Sequence, residues 1–124
     1  MSRLPFWLSA AQAAYFFLTG VWPIVHIRSF MAVTGPKRDL WLVRTVGALI
    51  AVVALAIGLA AWRVRAGGQV PPEVALLAAG AAAALGAVDV IYVARRVIDK
   101  VYVLDAAAEA VIVAAWAWAW FGRG

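Results

Sequence analysis

The sequence of 124 residues contains no cysteine, one histidine and only six acidic residues. Without cysteine there is no disulfide framework, no thiolate metal site and no cysteine nucleophile. Charged residues make up 14% of the chain and hydrophobic residues 67%, whereas soluble domains are nearer a quarter charged and half apolar. A soluble domain of this length could not bury so much apolar surface. The composition therefore predicts an integral membrane protein.

The net charge of +5 would, in a soluble protein, suggest nucleic acid as a partner. Here the lysines and arginines cluster between hydrophobic runs, as the cations that flank membrane spans do. We therefore expect the lipid bilayer, and not nucleic acid, as the partner. The first residues, MSRLPFWLSAAQA, resemble a signal peptide, but hydrophobicity continues to Val25, so we expect a retained transmembrane helix.

Four stretches contain the roughly 20 mostly apolar residues that a helix needs to cross a bilayer; they are residues 6–25, 42–62, 74–94 and 101–121. We predict a single all-α domain over residues 1–124, an integral membrane four-helix transmembrane bundle. Asp39 is a candidate N-cap of the second span, and Pro71 and Pro72 suit the start of the third. The stretch 24–33 either extends the first helix or lies along the membrane interface.

Basic residues predict the orientation of the bundle. With four spans both termini lie on one side, which holds Arg3, Arg63, Arg65 and Arg123, and the other side holds the remaining seven basic residues. Cytoplasmic loops carry the excess of lysine and arginine, so we expect the termini on the periplasmic side of a bacterial inner membrane. Aromatic residues at the ends of the spans read as belts at the two membrane surfaces, with Trp116, Trp118 and Trp120 on the side of the termini.

Three of the six carboxylates fall inside predicted spans, and they gather at one level of the bundle. Asp105 and Glu109 are four residues apart and share a helix face, and Asp89 lies at a similar depth on the preceding span. Ionisable residues inside a membrane usually face the bundle interior and mark functional sites. Alternation of the spans brings further polar residues to the same end. The predicted substrate-binding residues are Glu109, Asp105, Asp89, His26, Arg44, Tyr92, Trp22 and Tyr15.

Two interpretations of this layer remain open. In the first, the acids bind a cation or an amine, Glu109 being the exchanging carboxylate, and an internal cavity reaches Glu109. In the second, Arg44 contacts the acids directly and the buried charges only hold the helices together. The spacing contains no H-x-x-x-H or E-x-x-H metal signature, so we expect no metal and no cofactor. A membrane enzyme with His26 as a base is a lesser alternative, and we lean towards a protein without catalytic activity.

The stretches HIRSFMAVTGPKRDLWLVRTVG (26–47) and DVIYVARR (89–96) resemble those of a family of small bacterial four-helix integral membrane proteins. That resemblance implies the fold and a bacterial membrane, but it implies no activity. Small multidrug resistance transporters also have four short spans, but they use a glutamate in the first span, and residues 6–25 contain no carboxylate. The glycine- and asparagine-rich signatures of fluoride channels are absent as well.

The sequence therefore predicts a small bacterial inner-membrane protein with an acid-lined polar pocket near the cytoplasmic side. This pocket would bind or transport a small polar or cationic solute. Four helices are few for a solute pathway, so transport would require a homodimer. The alternative is an accessory or structural membrane subunit.

Overall fold

The chain folds into five α-helices, and the computed structural model describes residues 3–122. The helices are α1 (Leu4–Val25), α2 (Ile27–Thr34), α3 (Leu40–Arg65), α4 (Pro72–Ala94) and α5 (Tyr102–Phe121). All except the short α2 are long and apolar enough to cross a membrane. The predicted all-helical membrane bundle is confirmed, and the chain is a multi-pass membrane protein. Arg123, which entered the orientation count, lies outside the described residues.

The helix ends follow the local sequence. α3 begins two residues before the predicted span and continues three residues beyond it to Arg65, because arginine side chains at a helix end can reach back to the aqueous interface. α4 begins with Pro72, and Glu73 lies in its first turn, where a carboxylate favours the positive end of the helix dipole. Asp39 occupies the N-cap position of α3, but its side chain makes no capping hydrogen bond.

The stretch 24–33 is divided between two helices. His26 has φ −147° and ψ 82°, which ends α1 and starts α2. Its Nδ1 accepts a hydrogen bond of 3.2 Å from the backbone N–H of Ser29, so His26 caps the N-terminus of α2. The chain therefore changes direction at His26.

The closest helix pair is α1 with α3, and it depends on two glycines. A Cβ atom placed on Gly20 would lie 2.6 Å from the carbonyl oxygen of Gly47 and 2.9 Å from the backbone nitrogen of Ala51. Gly47 is in turn crowded by the carbonyl oxygen of Gly20 and by the ring of Pro23. Small residues allow membrane helices to pack in this way, with their backbones in contact. The tight α1–α3 pair forms one half of the bundle.

α4 and α5 form the other half, an antiparallel hairpin joined by the turn 95–101. The two halves touch through far fewer backbone contacts than each half has within itself. Side chains fill the space between them, and the apolar core contains Phe16, Ile57 and Ala78. This seam is where polar side chains from α1 meet the α4–α5 hairpin.

Two membrane helices end in the same type of cap. In α3 the N–H of Gly68 donates to the carbonyl of Arg63, and the N–H of Gly67 donates to that of Val64. α4 repeats the arrangement around Arg96. These are Schellman motifs, whose central residue adopts a left-handed conformation. Gly67 has φ +97°, and Arg96 has φ +59°, so Arg96 holds a backbone conformation that ordinarily favours glycine.

Candidate functional site

The three membrane-embedded carboxyl groups all come from the α4–α5 hairpin. Asp105 and Glu109 lie about 5 Å and 10 Å along α5 from its first residue, at 1.5 Å per residue. Asp89 lies on α4, one to two turns before the helix ends at Ala94. Because α4 and α5 are antiparallel neighbours, the three side chains meet at a similar depth. We call Asp89, Asp105 and Glu109 the carboxyl cluster.

Asp105 is the centre of this cluster. Its Oδ1 accepts a hydrogen bond from the hydroxyl group of Tyr15, which reaches across the seam from α1. The side chains of Asp89 and Glu109 both lie near the carboxyl group of Asp105. Two ionised carboxylates have no hydrogen to share and repel each other, so a proton or a cation bound at the cluster would relieve that repulsion.

The cluster has no basic partner among residues 3–122. Glu109 is 1% exposed and Asp89 is 6% exposed, yet Oε1 of Glu109 and Oδ2 of Asp89 have no hydrogen-bond partner. Buried acceptors are almost always paired, and a buried charge is usually paired as well. The cluster therefore contains two buried acceptor oxygens that lack both a hydrogen-bond donor and a positively charged neighbour.

Arg44 does not provide that charge. It is exposed near the start of α3 and forms no ion pair with the cluster. The direct contact between Arg44 and the acids, expected if the charges only hold helices together, is not found in the described part of the chain. Tyr92 follows Asp89 by three residues, but its side chain is 39% exposed. The structure thus brings together Tyr15 and the three acids, and leaves Arg44 and Tyr92 outside.

His26 and Trp22 belong to a separate group around Ser29. Nε1 of Trp22 donates a 2.8 Å hydrogen bond to Oγ of Ser29, and Nδ1 of His26 lies 2.7 Å from the same oxygen. The ring of Phe30 packs edge-on against Trp22. These contacts stabilise the junction of α1 and α2, and they account for both predicted site residues without a ligand.

Gln12 is the polar residue that the sequence analysis missed. It is 1% exposed, its Nε2 donates to the carbonyl oxygen of Ala78 at 2.9 Å, and its Oε1 accepts from Nε1 of Trp116 at 2.7 Å. Gln12 therefore connects α1 to both α4 and α5. The signal was available, because Gln12 precedes Tyr15 by three residues and extends the polar face formed by Tyr15 and Thr19.

The assignment of Trp116 to the aromatic belt is wrong. Its side chain is 3% exposed and faces Gln12 in the core, since a buried indole N–H needs an acceptor that lipid cannot offer. Trp118 is 69% exposed and Trp7 is 63% exposed, as expected for residues at a membrane surface. Consecutive tryptophans at every second position of a helix point in different directions, so only some of them can face lipid.

One groove of about 610 Å³ reaches the carboxyl cluster. It lies on the outer side of the α4–α5 hairpin, its walls are small or aliphatic, and Glu109 contributes to its lining. A Cβ atom on Gly86 would lie 3.2 Å from Cβ of Glu109, so the first carbon atoms of the Glu109 side chain pack against Gly86. This groove opens towards lipid, in contrast to the enclosed cavity that the sequence analysis expected of a solute pathway.

The carboxyl groups of the cluster, when ionised, can only accept hydrogen bonds. Within residues 3–122 no group of three histidine, aspartate or glutamate side chains has the geometry of a metal site. Unpaired carboxylate oxygens in an apolar bundle can accept hydrogen bonds from an ammonium group and balance its charge. Comparisons with protein-family models, curated proteins and solved structures find no match for this chain.

Proposed function

We propose that this protein binds a small cationic solute at the carboxyl cluster, and that bound solute and proton exchange there. One observation carries the proposal: Asp89, Asp105 and Glu109 lie together without a basic partner, and two of their buried oxygens have no hydrogen-bond partner. Membrane-embedded acids are costly and are generally retained for function. A positively charged ligand would satisfy both the charge and the unpaired acceptors.

Location and assembly belong to the same proposal. Six lysines and arginines lie between the first and second spans and between the third and fourth, and Arg44 lies at the start of the second span. This excess favours a cytoplasmic position for those loops. The carboxyl cluster would then lie near the cytoplasmic side of a bacterial inner membrane, with the termini periplasmic. Movement of the solute across the membrane would use a homodimer, because a single four-helix bundle offers little room for a pathway.

A structural role is the second candidate, and a specific contact supports it. The hydrogen bond from Tyr15 to Asp105 crosses the seam between the two halves of the bundle. An accessory subunit could use this bond to hold α1 against α5. Such a role explains Asp105, but it leaves the unpaired oxygens of Asp89 and Glu109 without a purpose.

The test is a calorimetric titration of ethylammonium chloride into the purified protein in detergent. Wild-type protein should bind ethylammonium, and Glu109→Gln should weaken that binding by about tenfold or more, since hydrogen bonds to charged groups contribute about 1.5–3 kcal/mol. Glu73→Gln is the matched control, because Glu73 is an exposed glutamate in the first turn of α4. Equal binding by the wild type and Glu109→Gln, or no binding by the wild type, would refute the proposal.

A further inference from the structure

The groove beside Glu109 combines apolar walls with a nearby unpaired carboxyl oxygen. Its walls are small or aliphatic side chains of both helices, among them Ala83, Ala87, Val90, Ala110 and Ala114, all exposed. Glu109 contributes to the lining of this groove, although only 1% of its surface is exposed. One of its oxygens has no partner. An apolar groove on the outer surface of the hairpin therefore borders a buried residue with an unsatisfied carboxyl oxygen.

The volume of the groove suits a small ligand. About 610 Å³ falls within the range of roughly 300–1,000 Å³ that is usual for small-molecule sites. Such sites are mostly apolar with a few polar groups that fix the ligand's orientation. Among residues 3–122, Glu109 is the one ionisable residue that lines this groove. Charge complementarity therefore selects a cation, and the apolar walls select a ligand with a hydrocarbon body.

We infer that the ligand of the carboxyl cluster is an amphiphilic organic ammonium ion, which enters from the lipid side through the α4–α5 groove. Its ammonium group binds Glu109, and its hydrocarbon body lies along the alanine and valine walls. This inference rests on the proposed cation binding at the cluster and adds the class of ligand and its route. A purely hydrophilic cation would gain nothing from those walls, because they offer no polar partner.

The route explains two features of the hairpin. Gly86 gives the side chain of Glu109 room beside α4, since any larger residue at this position would meet Cβ of Glu109 at 3.2 Å or less. Ala87 and Ala110 keep the groove open, because longer side chains there would fill it. Alanine side chains on a lipid-facing surface make little contact with lipid. Their small size instead keeps the groove open.

The test compares ethylammonium, hexylammonium and the neutral hexanol, each titrated into the full-length protein in lipid nanodiscs. Wild-type protein should bind hexylammonium at least about tenfold more tightly than ethylammonium, because four more methylene groups are buried. Hexanol should not compete. Ala110→Leu, which fills the groove, should weaken hexylammonium binding by about tenfold and should weaken ethylammonium binding by a smaller factor, because ethylammonium has less hydrocarbon to place there. Ala87→Leu should repeat this result from the α4 wall.

Ala107→Leu is the matched control, because Ala107 is exposed on the same helix but does not line the groove. If Ala107→Leu and Ala110→Leu have equal effects, the lipid-side route is wrong. If hexanol competes, the ligand need not be a cation, and the inferred class of ligand is wrong. The proposed function would survive that result as long as ethylammonium binding still depends on Glu109. If the wild type binds neither amine, the proposed function itself fails. A change of oligomeric state in Ala110→Leu, seen by light scattering, would make the groove a contact between copies and overturn the inference.

Discussion

The hydroxyl group of Tyr15 on α1 donates a hydrogen bond to Oδ1 of Asp105 on α5. This bond joins the two halves of the bundle at the level of the carboxyl cluster. Asp105 is also the carboxyl group that Asp89 and Glu109 approach. A change in the charge of the carboxyl cluster would therefore act directly on the contact between the two halves.

Removing the hydroxyl group should weaken that contact. Tyr15→Phe should lower the free energy of unfolding in mixed micelles by about 1 kcal/mol, the usual scale for hydrogen bonds between membrane helices. Tyr92→Phe is the control, since Tyr92 is 39% exposed and no contact places it in the cluster. Equal losses in the two variants would show that the Tyr15–Asp105 bond does not stabilise the bundle.

The unpaired acids should respond in the opposite direction. Asp89→Asn and Glu109→Gln each remove an acid from a site without a basic partner, so each should raise the free energy of unfolding by about 1 kcal/mol. Glu73→Gln should change it by less than about 0.5 kcal/mol, because Glu73 is exposed. Unfolding titrations of the three variants, compared with the wild type, measure these changes in the free energy of unfolding. Large losses of stability in both acid variants would favour the structural role.

The contact of α1 with α3 should tolerate no additional atom. Gly20→Ala would place a methyl group 2.6 Å from the carbonyl oxygen of Gly47, so the helices must separate, at a cost of about 1–3 kcal/mol. Gly80→Ala is the same substitution in α4 with nothing within 4 Å, and it should stabilise the protein by about 0.5–1 kcal/mol. Thermal unfolding of both variants tests the contact, and a Gly20→Ala protein as stable as the wild type would contradict it.

Gln12 should behave as a connector of three helices. Gln12→Leu leaves the indole N–H of Trp116 buried without an acceptor, which should cost about 1–3 kcal/mol. Adding Trp116→Phe to Gln12→Leu removes the orphaned donor, so the double variant should lose less than the two single losses combined. Unfolding measurements on the full cycle give the coupling energy. Simple additivity would mean that the hydrogen bond contributes nothing.

The left-handed arginine should be a point of strain. Arg96→Gly should stabilise α4 by about 1 kcal/mol, because an L-residue pays about 1–2 kcal/mol for that conformation and glycine does not. Gly67→Ala makes the reverse change at the matching cap of α3, where a Cβ atom would touch nothing, so it should destabilise by a similar amount. Melting temperatures of both variants report the backbone effect. A destabilised Arg96→Gly would indicate that the Arg96 side chain makes a stabilising contact.

Hydrophobic runs and turn residues were enough to predict the membrane helices, because the length of an apolar run and its flanking cations are local properties of the chain. The meeting of Asp89, Asp105 and Glu109 also followed from local rules, since a spacing of four residues fixes a helix face and a short turn fixes antiparallel neighbours. Tyr15 was placed correctly beside them by its depth and face.

Rotation of each helix about its own axis was harder to predict. Arg44 was predicted to lie at the level of the acids and to contact them, but its side chain is exposed. Trp116 was grouped with its neighbours Trp118 and Trp120, but Gln12 supplies an acceptor only inside the bundle. The direction that a side chain faces depends on the groups that neighbouring helices place beside it. The sequence of one helix does not identify those neighbouring groups.

The division of the bundle into two halves has a consequence for its biosynthesis. All three membrane-embedded acids lie on α4 and α5, which follow α1 and α3 in the order of translation. An ionised aspartate costs about 2.5–3.5 kcal/mol to insert at the centre of a membrane helix. Tyr15, whose hydroxyl group donates to Asp105, lies on α1 and is translated before the three acids. If the helices assemble in the order of translation, we expect the α1–α3 pair to offer the hydroxyl group of Tyr15 to the polar α4–α5 hairpin.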